Sequence, residues 1–239
     1  MTNKRFERQE LILGVQATAA LAQKKVALFG VGGVGSYAAE ALARCGIGHI
    51  ELIDSDTVNE SNINRQLCAL TSTIGMQKTE VVASRLRDIN PQIDVITKNI
   101  FFLPENANEL DFSSYDYVID AIDTVSAKLE IVEKCSRLGI PMISCMGTGN
   151  KLDPTALKIT DISKTSGCPL ARVMRYELRA RGISHLRVVY SEEAPIKTGA
   201  RDTETGKPIV GSVAFVPSVA GLLAASEAIK HLIDQENKE

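Results

Sequence analysis

GVGGVGS, at residues 30–36, follows an apolar segment, KVALF (25–29), that is typical of a buried strand. The residues after it, YAAEALARC (37–45), are typical of a helix. Phosphate-binding loops occur between a strand and a helix in this order, because backbone N–H groups and the helix dipole attract an anion to the helix N-terminus. We therefore predict that a nucleotide binds at this turn.

The four glycines of the turn have different expected roles, and together they are candidate cofactor-binding residues. Gly30 can adopt the tight turn that leaves the strand. Gly32 and Gly33 lack a Cβ atom, so the backbone at both positions can approach a phosphate closely. Gly35 allows the helix to pack close to the strand.

An acidic residue follows the next predicted strand at a distance that fits nucleotide binding. Asp54 ends the segment HIELI (49–53), nineteen residues after Gly35, where a carboxylate would meet a ribose hydroxyl. The glycine pattern by itself leaves open a tight turn without a ligand. It also does not separate a nicotinamide- or flavin-dependent enzyme from an ATP-dependent one.

Strands and helices alternate through the first 150 residues, which predicts an α/β fold with a doubly wound, mostly parallel Rossmann-like sheet. Predicted strands lie at 25–29, 49–53, 93–97, 115–120 and 140–146; predicted helices lie at 4–13, 16–22, 37–45, 78–89, 103–111 and 124–138.

The pattern changes after residue 150, where strands at 156–162 and 185–190 flank a basic helix at 168–181. Residues 191–208 are polar with few apolar side chains, which favours a mobile loop. We interpret 1–239 as a single domain, with a nucleotide-binding Rossmann-like part at 1–150 and a substrate-side extension at 151–239.

Charge and cysteine content limit the class of protein. The 239-residue chain has a net charge of -2, which argues against a protein that coats nucleic acid with its whole surface. Its five cysteines form no CxxC pair, so we expect reduced thiols and no zinc. The sequence shows no secretory leader, and we expect a cytoplasmic location.

The charge-free stretch at 209–226 is short and interrupted by Gly211, Pro217 and Gly221. A membrane span needs about 20 apolar residues. We therefore predict a buried C-terminal helix without stable membrane insertion, and we keep peripheral membrane association through this helix as the alternative.

Polar residues that follow the predicted strands narrow the chemistry to phosphate handling. An arginine and a lysine in line with a triphosphate suit nucleotidyl transfer better than hydride transfer, because they spread the developing negative charge. A carboxylate after a strand can hold Mg²⁺. The candidates are Asp54, Asp56, Asn62, Arg65, Gln66, Lys78 and Asp123.

Four motifs in fixed order resemble the ubiquitin-activating-enzyme-like adenylating proteins of the ThiF/MoeB superfamily. They are the glycine loop, DSDTVNESNINRQ (54–66), GMQK (75–78) and DAID (120–123), preceded by FERQE (6–10). The resemblance implies that Asp54 meets the ribose of ATP, that Arg65 and Lys78 contact the phosphates, and that Asp123 holds Mg²⁺. It further implies a homodimer in which Arg8 reaches the ATP of the neighbouring protomer. Arg65, Lys78 and Asp123 are thus the candidate catalytic residues, and Asn62 would support the phosphate or metal region.

The chain departs from the sulfur-carrier activators of this superfamily, which have two CxxC pairs for zinc. It has only Cys168 in CPLARVMR (168–175), a segment that resembles the branch that dehydrates threonylcarbamoyladenosine in tRNA. Arg172, Arg175 and Arg179 recur at helical spacing on one side, which predicts contacts with the tRNA backbone. A solvated helix face is the alternative.

The branch resemblance implies that ATP adenylates the threonyl carboxylate next to the anticodon, after which the ring closes. A cysteine desulfurase or sulfur-acceptor system is a further candidate partner. Cys68 or Cys168 could then serve as a relay thiol, and the alternative is that both are inert. Three other functions remain open: an activator of a ubiquitin-like sulfur carrier, a nicotinamide-dependent oxidoreductase, and a non-catalytic nucleotide-binding scaffold.

Overall fold

The computed structural model describes residues 4–203 and 205–236, apart from the side chain of Glu236. Seven strands form one sheet in this part of the chain. They are β1 (Lys25–Phe29), β2 (His49–Ile53), β3 (Asp94–Lys98), β4 (Tyr117–Asp120), β5 (Met142–Cys145), β6 (Leu157–Asp161) and β7 (Arg187–Ser191). Their order is β3-β2-β1-β4-β5-β7-β6, and all neighbours are parallel except β6 and β7. The α/β class and the mostly parallel sheet are therefore confirmed.

Seven α-helices in the described residues connect or cover these strands. They are α1 (Glu7–Leu13), α2 (Val15–Leu21), α3 (Gly35–Arg44), α4 (Lys78–Ile89), α5 (Val125–Leu138), α6 (Pro169–Ala180) and α7 (Phe215–Glu236). The strands β1, β2 and β4 are short and largely apolar. They are buried along nearly their whole length, as expected for a sheet covered on both faces.

The last helix, α7, belongs to the core beside the glycine loop. Its buried residues include Ala220, Ala224 and Ala228, small side chains that allow α7 to lie close to α3. A Cβ atom on Gly221 would stand 2.2 Å from the carbonyl oxygen of Val34, so the two helices touch through backbone at this point. Pro217 of α7 packs beside Gly33.

By length and composition α7 also qualifies as a membrane span, over Phe215–Gln235 with a mean hydropathy of 1.2. Half of that apolar window is buried against the rest of the protein. This burial agrees with the prediction of a core helix, and peripheral membrane association stays an untested alternative.

Differences from the sequence-based boundaries are local. The helix expected at 4–13 begins at Glu7, and the one expected at 103–111 is a 3-10 helix over Pro104–Glu109. Leu138 is 48% exposed because it lies in the last turn of α5, just before Gly139 ends the helix. Among the described residues of 191–208, only Ser191 lies in a strand, and Arg201 forms one isolated bridge with Pro208.

Candidate nucleotide-binding site

A cavity of about 540 Å³ opens at the carboxyl ends of β1, β2, β4 and β5. This edge of a parallel sheet, where the strand order reverses, is where α/β proteins bind ligands. The predicted residues that line it are Gly30, Gly32, Gly33, Asp54, Asp56, Asn62, Arg65, Gln66, Lys78 and Asp123. Gly35 lies beneath the loop and does not line the cavity.

The glycine turn is held by contacts that exclude larger residues at two positions. Gly30 has a φ of +85°, and a Cβ atom there would lie 2.8 Å from the carbonyl oxygen of Ala121. A Cβ atom on Gly35 would lie 1.7 Å from the carbonyl oxygen of Gly30. Ser36 Oγ donates a hydrogen bond to the carbonyl oxygen of Gly32 at 2.7 Å, which closes the turn.

Asp54 links the glycine turn to the loop after β2. Its Oδ2 accepts a hydrogen bond from the N–H of Val31 at 2.7 Å, and its Oδ1 accepts one from the N–H of Asp56 at 2.8 Å. Each carboxylate oxygen keeps a further lone pair, because a carboxylate has about four acceptor sites. Asp54 can therefore hold the loop and still accept a hydrogen bond from a ribose.

Lys78 begins α4 and brings a positive charge to the cavity. Its Nζ lies 2.7 Å from Oδ2 of Asp56, and the lysine side chain is 6% exposed while that of Asp56 is 64% exposed. The pairing holds a largely buried ammonium at a fixed place. It also makes Asp56 a direct partner of Lys78, a contact that the spacing of the two residues did not predict.

The polar loop after β2 is organised by its own side chains. Oδ1 of Asn62 accepts a hydrogen bond from the N–H of Asn59 at 3.1 Å and caps a single 3-10 turn. Nη1 of Arg65 donates to the carbonyl oxygen of Ser61 and to Oδ1 of Asn64, both at 2.9 Å. The Arg65 side chain is thereby directed along the loop and beside Gly33.

Asp123 presents an exposed carboxylate to the cavity. Among the residues that the structure describes, it has no hydrogen-bond or ion-pair partner, so the carboxylate is available to a cation. No group of three or more His, Cys, Asp or Glu side chains in the described chain could hold a metal by itself. Mg²⁺ is commonly held by one or two carboxylates together with substrate phosphates and water, and Asp123 fits this pattern.

A buried ion pair beneath Asp123 was not predicted from the sequence. Nζ of Lys128 lies 2.9 Å from Oδ2 of Asp120, and both side chains are fully buried. The same ammonium donates to the carbonyl oxygen of Cys145 at 2.8 Å, and Ser144 Oγ donates to Asp120 at 2.5 Å. The network joins the ends of β4 and β5, which carry the loops at Asp123 and at Gly147.

Two buried thiols lie in or close to the site, and the pKa values of both are raised. Burial raises the pKa of the Cys145 thiol, which lines the cavity, to about 12. Burial also raises the pKa of Cys68, an effect that the positive charge of Lys78 opposes only in part. Thiolates, not thiols, are nucleophiles, so neither cysteine is prepared for covalent chemistry.

The remaining predicted residues lie outside the cavity. Arg8 is exposed on α1 and does not line the cavity of its own chain. Arg172 and Arg179 are exposed on α6, but Arg175 is only partly exposed. Its Nη1 donates to the carbonyl oxygen of Thr165 at 2.9 Å and to Thr165 Oγ1. All three arginines border one surface cavity, as the helical spacing predicted, but the guanidinium group of Arg175 is bound to the protein. Contact of these arginines with tRNA stays a prediction.

A glycine cradle, two basic side chains and an exposed carboxylate at one sheet edge define a nucleotide-binding protein that handles phosphates. The chain belongs to the ThiF family, which matches residues 6–239.

Two bacterial relatives extend over almost the whole chain. The chain is 43% identical to the tRNA threonylcarbamoyladenosine dehydratase of Bacillus subtilis (strain 168), over 95% of this chain and 94% of the relative. It is 36% identical to the enzyme of the same name from Escherichia coli (strain K12), over 96% of this chain and 94% of the relative. The crystal structure of the E. coli enzyme with ATP superposes with a TM-score of 0.90 and covers 99% of this chain and 96% of that one.

Proposed function

We propose that this chain catalyses the ATP-dependent, cyclising dehydration of N6-threonylcarbamoyladenosine in tRNA. The observation that carries the proposal is the similarity to two dehydratases along nearly the full chain, together with an ATP-bound relative of the same fold. The phosphate-binding cavity supplies the matching chemistry.

The reaction needs ATP because a carboxylate is a poor acyl donor. Attack of the threonyl carboxylate on the α-phosphorus forms an acyl adenylate and releases pyrophosphate. A heteroatom of the adjacent carbamoyl group then attacks the activated carbonyl carbon and loses its proton, and AMP leaves with one carboxylate oxygen. The nucleophile is part of the substrate, so proximity accelerates ring closure and no protein thiolate is required.

We assign roles to the cavity residues by their charge and position. Lys78, fixed by Asp56, and Arg65, beside Gly33, stabilise negative charge on the transferring phosphoryl group. Asp54 accepts a hydrogen bond from the ribose. Asp123 would hold Mg²⁺, which would supply positive charge to the phosphates. Gln66, whose amide lies 3.7 Å from a Cβ position on Gly32, borders the phosphates.

We infer a homodimer in which Arg8 completes the neighbouring site. The support is that Arg8 lies outside its own cavity and that α1 exposes large apolar side chains beside it. Leu11 is 84% exposed and Ile12 is 85% exposed, values typical of residues that another surface covers. The tRNA would pass over the exposed Arg172 and Arg179. A cytoplasmic location, the absence of zinc and a sulfur-transfer partner remain predictions.

Product analysis tests the activity. The protein is incubated with ATP, Mg²⁺ and tRNA that carries threonylcarbamoyladenosine. The tRNA is then digested to nucleosides, and their masses are measured. We expect an ATP-dependent loss of one water. Arg65→Ala or Lys78→Ala should lower kcat by about 10²- to 10³-fold, as loss of one transition-state donor does. Arg137→Ala, an exposed arginine on α5, is the matched control. Intact ATP binding without a mass change would instead favour a protein substrate.

Subunit mixing tests the role of Arg8. Arg8→Ala and Asp123→Asn chains, each inactive alone, are unfolded together and refolded. If Arg8 acts across the interface, each mixed dimer has one intact site and one doubly damaged site, and activity recovers to about a quarter of the wild-type value. If Arg8 acts within its own chain, no dimer has an intact site, and no activity returns.

A further inference from the structure

The outer face of α6 carries an aromatic side chain that the proposed chemistry does not use. Tyr176 is 74% exposed, and with Val173, 45% exposed, it borders an open cavity of about 490 Å³ that is lined by residues of α6. We propose that Tyr176 is a stacking platform for an unpaired base of the tRNA anticodon loop. This inference rests on the proposed function.

Charge on this face identifies the class of occupant. Arg172 and Arg179 lie one turn before and one turn after Tyr176, so both guanidinium groups flank the ring. Neither has a hydrogen-bond or ion-pair partner among the residues described. Glu177, the acidic residue of the face, is paired with Arg181 at 2.7 Å, and Arg175 is bound to Thr165. The free charge beside Tyr176 is therefore positive, which suits a phosphate backbone.

An aromatic ring between two exposed arginines is suited to single-stranded nucleic acid. Bases stack on the ring while the arginines contact the phosphates on either side. A paired base is covered by its neighbours in the duplex, whereas loop bases can turn outward and stack on a protein side chain. The anticodon loop, which contains the modified adenosine, is unpaired RNA of this kind.

The position of Tyr176 fits a nucleotide close to the reacting one. Leu170, in the first turn of α6, lines the nucleotide-binding cavity. Tyr176 is six residues further along the same helix, which corresponds to a rise of roughly 9 Å along the helix axis. An RNA strand that places its modified base in the cavity would thus pass along α6 and across Tyr176.

The test uses an anticodon stem-loop RNA with 2-aminopurine beside the modified adenosine, because stacking quenches the fluorescence of this base. With the wild-type protein we expect quenching on binding. Tyr176→Ala should weaken binding by roughly 5- to 150-fold, the range found when one stacking aromatic is removed. Tyr176→Phe should keep both the quenching and the affinity. Tyr176→Leu, which preserves apolar bulk without a π-face, should behave like Tyr176→Ala.

Two results would overturn the inference: equal affinity of all variants, or full binding by Tyr176→Leu, which would indicate apolar docking of a protein segment. Because Tyr176 is exposed, these variants should keep the wild-type melting temperature. The binding assay does not depend on turnover. A wild-type protein that binds and quenches the RNA but leaves its mass unchanged would refute the proposed reaction and retain the stacking site.

Discussion

Replacement of Lys128 by methionine should destabilise the protein strongly, because it leaves one buried charge alone. In the wild type the Lys128 ammonium and the Asp120 carboxylate are both fully buried and 2.9 Å apart. Methionine has a similar length but no charge. Asp120 would keep hydrogen bonds from Ser144 Oγ and from the N–H of Ile122, and it would lose its counter-charge.

Removal of one member of a buried ion pair typically costs about 3–5 kcal/mol. That is a large share of the roughly 5–15 kcal/mol that holds a folded domain together. For a chain of this size it corresponds to a melting temperature lower by roughly 10 °C. The double variant Lys128→Met/Asp120→Asn removes both charges and should recover most of the loss.

Urea unfolding followed by circular dichroism measures these free energies, since the chain contains no tryptophan for a fluorescence probe. Lys158→Met is the matched control, because it breaks the Lys158–Glu192 pair, 2.5 Å apart and exposed on both sides. It should leave the unfolding midpoint unchanged. The reasoning fails if Lys128→Met is as stable as this control, or if the double variant is no more stable than Lys128→Met.

Three further predictions concern the glycine loop, the thiols and the loop after β7. Gly35→Ala should abolish ATP binding measured by calorimetry, because its Cβ atom would meet the carbonyl oxygen of Gly30 at 1.7 Å; wild-type affinity would contradict this. Burial raises the pKa of Cys135 and Cys145 from 9.0 to about 12. The stability that the neutral thiols contribute to the fold is therefore complete below pH 9 and is lost as the pH rises toward 12. Urea titrations should therefore give falling stability above pH 9, and a constant value up to pH 11 would refute the assignment. Asn150→Ala removes an acceptor 2.6 Å from the N–H of Gly211 and places alanine at a φ of 57°. The variant should lose about 1–3 kcal/mol of folding free energy and should be cleaved faster by proteases within 191–208. An unchanged cleavage rate would show that Asn150 does not hold this loop in place.

The strands and the glycine turn could be predicted because their signals are local. A run of apolar residues such as KVALF, followed by glycine, has few structural solutions. All seven described β-strands begin within two residues of the expected positions. Most candidate residues of the cavity follow the carboxyl ends of parallel strands, directly or in the loop after β2, and Lys78 begins α4. The sheet topology brings these segments together.

Side-chain partners could not be predicted in the same way. Lys128 lies on α5 at a position where a charged residue suggests a solvated face, yet it is buried because Asp120 and the end of β5 satisfy all its donors. Arg175 has the spacing of an exposed arginine and is instead bound to Thr165. Such contacts depend on where distant segments meet, which no periodicity within one helix records.

The contact between α7 and the glycine turn determines when the nucleotide-binding site can form during synthesis of the chain. Gly33 is synthesised early, whereas Pro217 beside it and Gly221 against Val34 come nearly two hundred residues later. Chains emerge from the ribosome N-terminus first, at roughly 5–20 residues per second. A nascent chain that has not yet reached α7 therefore has its glycine turn without the helix that supports it. Nucleotide binding during synthesis should begin only once this last helix has emerged, so that ATP itself would report completion of the fold.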